Sequence, residues 1–215
     1  MKIDVLDHGF VRLVSYMQPA PSKPFEIGGP LEPAEWSGDL EIVRNARVSY
    51  NGDWRTGTDE GSDDRLVRRL HARGHTTPFE AMVFTFEVKA PIFVFRQWHR
   101  HRTWSYNELS ARYAEVKEDF YIPKAEHIGR QSATEKQARE IPAELQDKHY
   151  EEVVVPSMRK QNEDAFVRYH ILLKDGVPRE LARSVLPLST YSRMFGTVDL
   201  HNLFHFLRLR MDSHA

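Results

Sequence analysis

The chain has 215 residues, of which 40% are hydrophobic and 28% charged; this suits a soluble globular protein with a sizeable core rather than a disordered or membrane chain. Thirty Lys and Arg against 31 Asp and Glu leave a net charge of −1, which argues against wrapping nucleic acid by overall charge, so any anion site must be local. There is no cysteine, which excludes disulfides, thiolate nucleophiles and Cys-ligated metal centres.

The N-terminus, MKIDVLDHGF, is charged and alternating and has no apolar signal-peptide core. No stretch approaches the roughly 20 apolar residues of a membrane span, so a cytoplasmic location is expected. Residues 2–6 and 10–17 carry Ile3, Val5, Phe10, Val11, Leu13, Val14 and Tyr16 around His8-Gly9, which predicts two short strands and a turn. From Gln18 to Asp39 five prolines and Gly28-Gly29 block regular structure, predicting a long loop or insertion over about 18–39. A helix is expected through Leu40, Val43 and Ala46, ending near Val48 and Ser49. Ser62 or Asp63 then caps a second helix bearing Leu66, Val67 and Leu70, which Gly74 terminates.

Met82 to Val88 alternates Phe84, Phe86 and Val88 against Thr85 and Glu87, as a strand does, and Pro91 is free to open a helix over about Ile92 to Trp98. After Arg102 a loop is expected, because Ser105, Asn107 and Ser110 compete with helix hydrogen bonding. From about Pro142 the chain is predicted to be mainly helical, with Tyr150, Val153, Val154, Met158, Phe166, Tyr169 and Leu173 at helical spacing and Pro156 kinking or splitting the segment. Gly176 stops that helix, Pro178 opens a short one ended by Pro187, and a last helix runs through Leu200, Leu203, Phe204 and Leu207 towards Arg208 and Arg210. The fold class expected is α/β with mixed α and β parts: an antiparallel-rich sheet and a mainly helical C-terminal half. No repeat or clean linker divides the chain, so residues 1–215 read as a single catalytic domain.

The most informative stretch is RHRTWSYNELSARY, residues 100–113, which packs Arg100, His101, Arg102, Ser105, Asn107, Glu108, Ser110, Arg112 and Tyr113 together. Three guanidiniums beside hydroxyl, amide and carboxylate groups suit an anionic, hydrogen-bonding ligand, because guanidinium is permanently charged and planar and can hold two acceptors at once. Together with Arg183 and Arg210 they could form a phosphate and nucleobase clamp, although those two alone would read as ordinary surface residues. A solvated basic loop is the plainer alternative. His99 and His101 could, with His75, hold a metal, but Arg100 and Arg102 beside them would repel a cation and no H-E-x-x-H pattern is present, so no metal is expected. Neither Ser105 nor Ser110 lies in a G-x-S-x-G elbow, and no G-x-G-x-x-G or Walker A sequence occurs. Two other functional classes remain open to the residues themselves. One is a single-stranded RNA module stacking bases on Trp98, Trp104 and Tyr106. The other is a metal-dependent phosphohydrolase using His75, His99 and His101.

The same run closely resembles the R-H-R-x-x-S-x-N-E-x-S-x-R-Y signature of flavin-dependent thymidylate synthases and matches all its fixed positions. His75-Thr76-Thr77-Pro78-Phe79-Glu80 resembles the family's H-x-T-P-F-E segment. Pro178 to Arg183 with Leu186-Pro187-Leu188 resembles P-R-E-x-A-R…L-P-L, and Leu209-Arg210 with Asp212-Ser213-His214 resembles a fourth block. The resemblance implies methylation of dUMP to dTMP with methylenetetrahydrofolate as carbon donor, FAD as redox mediator and NADPH as reductant. It implies a homotetramer with active sites between subunits, no nucleic-acid partner and no membrane. By similarity, Gln97, Arg100, Glu108, Ser110, Arg112, Arg183 and Arg210 hold the nucleotide, with Arg210 also the catalytic residue that steadies charge on the uracil ring. FAD would be contacted by Ser49, His75, Thr77, Arg100, His101, Arg102, Glu108, Asp199, His201 and His205; relatives commonly carry asparagine where Asp199 and His205 stand. Relatives also continue past the D-S-H-A block with a further helix, so a truncated chain is expected.

Overall fold

The computed structural model describes residues 2–17, 38–136, 138–140 and 148–211. Strand β1 (Lys2–Val5) turns through Leu6 into β2 (Gly9–Tyr16), as the alternation predicts. A Cβ at Gly9 would lie 2.8 Å from the carbonyl oxygen of Lys89 and 2.9 Å from that of Val5, so glycine alone permits this approach. Of the expected proline-rich loop, residues 18–37 lie outside the described residues, whereas Gly38 and Asp39 already belong to helix α1 (Gly38–Val48).

Helix α2 (Glu60–Ala72) begins earlier than expected, and its cap is Asp59 rather than Ser62 or Asp63: the Asp59 Oδ1 accepts from the Ser62 amide at 3.0 Å. Asp63 is instead buried, ion-paired with Arg47 of α1 at 2.5 Å and accepting from the Gly57 amide at 2.8 Å. Gly74 does terminate α2, with φ 69° just beyond the Arg73 C-cap. Strand β3 (Val83–Pro91) runs on to Pro91, which is also the N-cap residue of helix α3 (Ile92–Trp98).

The run after Arg102, expected to be a loop, contains strand β4 (Ser105–Glu108). Backbone pairing to a neighbouring strand outweighs the turn tendency of Ser and Asn, and Tyr106 and Glu108 face inward while Ser105 and Asn107 stay exposed. A two-residue pair, β5 (Arg130–Gln131) and β6 (Arg139–Glu140), forms a separate ladder. Pro142 lies outside the described residues. A π-helical turn at Tyr150–Val154 leads into helix α4 (Val155–Lys174). The expected break at Pro156 is this change of helix type, and the proline occupies the first turn of α4, where its missing N–H is no loss. Helix α5 (Arg179–Ala182), strand β7 (Tyr191–Asp199) and helix α6 (Leu200–Arg210) complete the order.

The main sheet is antiparallel throughout, in the order β1-β2-β3-β7-β4. β7, which the sequence reading missed, pairs with β3 along its whole length, from Val83 opposite Asp199 to Pro91 opposite Tyr191, and carries β4 on its other edge. Val88, Ala90, Phe95 and Met194 form a core that seats α3 on the sheet. Ile42, Phe79 and Met82 gather α1, α2 and α6 against the sheet, and Phe166, Tyr169 and Ala182 pack α4 against α5. Burial of each of the larger of these side chains, Val, Ile, Met and Phe, contributes about 1.5–3 kcal/mol. The consequence for function is that α3 leaves the sheet where Pro91 pairs with Tyr191 and α6 leaves it at the other end, where Val83 pairs with Asp199, and α6 runs back until Phe206 meets Trp98 of α3. Among the described residues no helix is long and apolar enough to cross a membrane.

Candidate active site

α3 delivers the motif. His99 caps it, the His101 amide donates to the Trp98 carbonyl at 2.9 Å, and the chain leaves the helix through Arg100, His101 and Arg102 before entering β4. Trp104 is buried against β7 where Gly196 leaves room: a Cβ there would sit 3.1 Å from the indole ring. Tyr106 then closes the loop, its hydroxyl donating to the carbonyl oxygens of His101 at 2.7 Å and Trp98 at 3.1 Å. Desolvation pushes the Tyr106 hydroxyl up to about 12, so it stays protonated as the donor that pins this turn.

Phe206 on α6 stacks on Trp98 at 4.8 Å and meets the His101 ring edge-on at the same distance. This aromatic contact docks α6 beside the motif and carries Arg210, four residues further along the same helix, onto His101. The Arg210 Nε donates to the His101 Nε2 at 3.0 Å. Burial lowers the pKa of His101, and the charges of Arg210 and His205 lower it further, so the ring is neutral near pH 7 and presents an acceptor at Nε2.

Beside the motif lies a cavity of about 410 Å³ lined by Arg96, His99, Glu108, Glu180, Arg183 and Thr190, among others. It therefore joins α3, the end of β4, α5 and the start of β7. The Nε2 of His99 and the Oγ1 of Thr190 are buried there without a hydrogen-bond partner. Arg112 is paired with Glu180 at 3.2 Å, both side chains more than half exposed, so it stands at the rim. The Ser110 Oγ accepts from the Arg112 amide at 3.3 Å, and the Ser110 carbonyl accepts from Tyr113 and Ala114, which makes this a tight turn after β4.

Of the residues singled out from sequence, the protomer thus brings together Glu108 and Arg183 in the cavity with Arg112 at its edge, and, as a separate group where α6 meets the end of α3, His101, His205 and Arg210. Gln97 on α3, Ser49 after α1, and His75 and Thr77 after α2 are exposed and do not line that cavity; His201 lies in the first turn of α6. Asp199 caps α6, its Oδ1 accepting from the Asn202 amide at 2.9 Å and its Oδ2 from the Asn202 side chain at 2.6 Å. The sequence does not single out Phe206 or Glu180 as parts of the site, and it offers Tyr106 and His99 only as a base-stacking ring and a metal ligand. The i, i+4 spacing of Phe206 and Arg210 on one helix was the signal for Phe206.

Trp104 is 6% exposed and packs against Phe206 and Tyr106, so it cannot stack bases as the RNA-module reading required. Among the described residues no group of three or more His, Asp or Glu is gathered as a metal ion would need. His99 is packed between Phe95 and Tyr106.

An antiparallel sheet with Arg96, Arg183 and the carboxylates Glu108, Glu115 and Glu180 around a cavity, and with further exposed arginines on the adjoining motif, has the lining of a nucleotide-handling enzyme. The structure of the UMP/dUMP methylase PolB from Streptomyces cacaoi, bound with 5-Br dUMP, matches 95% of this chain and 79% of its own, with a TM-score of 0.74 and 36% identity. The flavin-dependent thymidylate synthase of Treponema denticola is 46% identical over 98% of this chain and 70% of its own length, and that of Thermotoga neapolitana 44% identical over 100% and 82%. Residues 34–215 match the family model described as thymidylate synthase complementing protein, and the chain belongs to that family.

Proposed function

We infer that the chain is a flavin-dependent thymidylate synthase that converts dUMP to dTMP, taking its carbon from methylenetetrahydrofolate and its reducing equivalents from NADPH by way of FAD. The observation that carries this reading is the contact between Arg210 and His101: it joins the C-terminal block to the RHR run, so that a fixed positive charge and a neutral imidazole stand together where α6 meets the end of α3.

The residues fit a flavin dinucleotide. Arg100 and Arg102 are exposed, and among the described residues neither makes an ion pair, so two guanidiniums stand ready for a pyrophosphate. His101 offers a neutral ring beside them. Ser49, His75, Thr77, His201 and His205 supply further hydroxyl and imidazole groups, and Glu108 a carboxylate. Asp199 fits least well through its side chain, because both its oxygens are already engaged with Asn202. Bound FAD supplies the hydride-carrying chemistry that no side chain of this protein can provide.

Arg183 and Arg112 neutralise the phosphate of dUMP, with Ser110 and Gln97 orienting the nucleotide and Glu108 and Arg100 reached by both ligands. To reach the phosphate Arg112 must loosen its pair with Glu180, which costs little at an exposed site. Arg210 steadies the negative charge that develops on the uracil ring as N3 loses its proton, an electrostatic role that is strongest once water is excluded. With no cysteine in the chain, the ring is activated without a thiolate adduct.

The arginines of this site are exposed on the protomer, α6 has no buried residue, and its Leu207 and Leu209 lie open. These features support a homotetramer whose active sites form between subunits. A single catalytic domain spans the chain, and its charged nucleotide and folate substrates support a cytoplasmic location. The test is oxidation of NADPH measured with and without dUMP and methylenetetrahydrofolate on protein loaded with FAD. dTMP formed only when all are present is the expected result. A protein that gains no flavin spectrum on adding FAD sinks the reading.

A further inference from the structure

Between α1 and α2, away from the cavity described above, a second pocket of about 170 Å³ is lined by Arg47, Tyr50, Arg55, Ser62, Arg65 and Arg69. Arg65 and Arg69 are one helical turn apart on α2 and therefore share a face. Arg47 forms the wall: it is buried, paired with Asp63 at 2.5 Å and donating to the Ser62 Oγ at 3.3 Å, while its other terminal nitrogen, Nη1, has no hydrogen-bond partner. Asp63 cancels the charge of Arg47 from the far side. Arg55, Arg65 and Arg69 remain, all exposed and none in an ion pair among the described residues, and no carboxylate lines the pocket.

We propose that this pocket binds a phosphate monoester, and that its occupant is the 2′-phosphate of NADPH. This rests on the reading of the chain as an NADPH-consuming flavoenzyme. Three unpaired guanidiniums with a phenol and a serine hydroxyl match a dianion with three acceptor oxygens, and they exceed what a single carboxylate can satisfy. The phosphates of dUMP and FAD are already accounted for by Arg112, Arg183, Arg100 and Arg102, which leaves the reductant as the phosphomonoester without a partner. Tyr50 directly follows Ser49, the residue that resemblance assigns to FAD, so the pocket adjoins the FAD-contacting stretch and could hold the adenosine end of a dinucleotide whose nicotinamide reaches the flavin. The site would then be what distinguishes NADPH from NADH.

Direct binding tests this without turnover. Calorimetry on the flavin-loaded enzyme would use adenosine 2′,5′-bisphosphate, adenosine 5′-monophosphate and inorganic phosphate as probes. The bisphosphate is expected to bind about tenfold or more tighter than the monophosphate, and the variant Arg65→Ala/Arg69→Ala is expected to lose that difference, since each charge-assisted contact contributes on the order of tenfold. In the same variant the KM for NADPH should rise about tenfold to a hundredfold while the KM for NADH does not move. Equal binding of the two adenosine probes overturns the proposal. So does a variant whose defect appears in the KM for a polyglutamylated folate instead, or one in which inorganic phosphate binds as tightly as the bisphosphate, marking a free-phosphate site. If the wild type binds the bisphosphate selectively yet never oxidises NADPH in the presence of dUMP, the synthase reading fails and the phosphate site stands.

Discussion

Arg210 hydrogen-bonds to His101 through Nε, across 3.0 Å, and among the described residues the two terminal nitrogens of its guanidinium have no partner, so they can face a ligand. The contact also fixes the tautomer of His101, whose Nε2 must be the bare nitrogen. Arg210→Ala therefore removes both the charge and the lock. Turnover is expected to fall by about 10²-fold or more while flavin stays bound, and the His101 pKa should rise towards 6.5 by proton NMR titration. Arg210→Lys keeps the charge but not the planar fork, so it should recover only part of the rate. Near-normal dTMP formation by Arg210→Ala would remove the assigned role.

His101 also sets a pH dependence with a definite sign. Its folded pKa lies below the ordinary value of 6.5, because burial and then Arg210 and His205 disfavour the charged ring. The unfolded chain thus takes up the proton first as pH falls, so the stability associated with His101 is present above about 6.5 and is lost as pH drops from there to the folded value. Protonation also turns Nε2 from acceptor to donor and breaks the contact with Arg210. Melting temperatures between pH 8 and 5 should show a decline that His101→Gln reduces. An identical pH profile in that variant would contradict the assignment.

How much of this was legible in the chain depends on how local the determinants are. α3 was read to the residue because Pro91 can start a helix and the apolar run after it ends at a polar cluster; both signals are local. β7 was missed because its burial alternates over Met194, Gly196 and Val198 while its apolar residues do not: a glycine fills one inward position and Phe195 is exposed on the other face. Its identity as a strand comes from β3 and β4 pairing on its two sides, which no local window contains. Asp63 looked like a cap because an acidic residue near a helix start usually is one. That it is buried depends on Arg47, sixteen residues earlier on another helix. The motif residues of the site were legible as chemistry, whereas Phe206 and Glu180, which position His101 and Arg112, became visible only once α6 and α5 were packed beside them.

Tyr169 shows how the helical half supports the site from behind. It is fully buried in α4, and its hydroxyl oxygen accepts from the Val116 amide at 3.0 Å, holding the segment that follows the motif; Val116 itself lines the cavity. Tyr169→Phe keeps the ring packing and leaves the Val116 N–H unpaired, so a loss of about 1–2 kcal/mol is expected in denaturant unfolding. Because the segment carries part of the cavity wall, the KM for dUMP should rise in the same variant. Unchanged stability would mean that water replaces the hydroxyl at no cost.

The ion pair of Arg47 and Asp63 makes the sharpest stability prediction, since both side chains are only 4% exposed. Removing one partner strands the other charge in the interior. Arg47→Ala is therefore expected to cost about 3–5 kcal/mol, which for a chain of this size lowers the melting temperature by roughly 10 °C. The paired replacement Arg47→Met/Asp63→Leu should be much milder, because neither charge is left alone, although the Gly57 amide loses its acceptor at 2.8 Å. Arg65→Ala and Arg69→Ala, on the exposed face of the same pocket, should stay within about 0.5 kcal/mol of the wild type. Thermal unfolding of these four proteins thus separates the residue that builds the pocket from the residues that face its ligand. A stability loss at Arg65 or Arg69 as large as that at Arg47 would show that all three guanidiniums serve the fold and none is held in reserve for an anion.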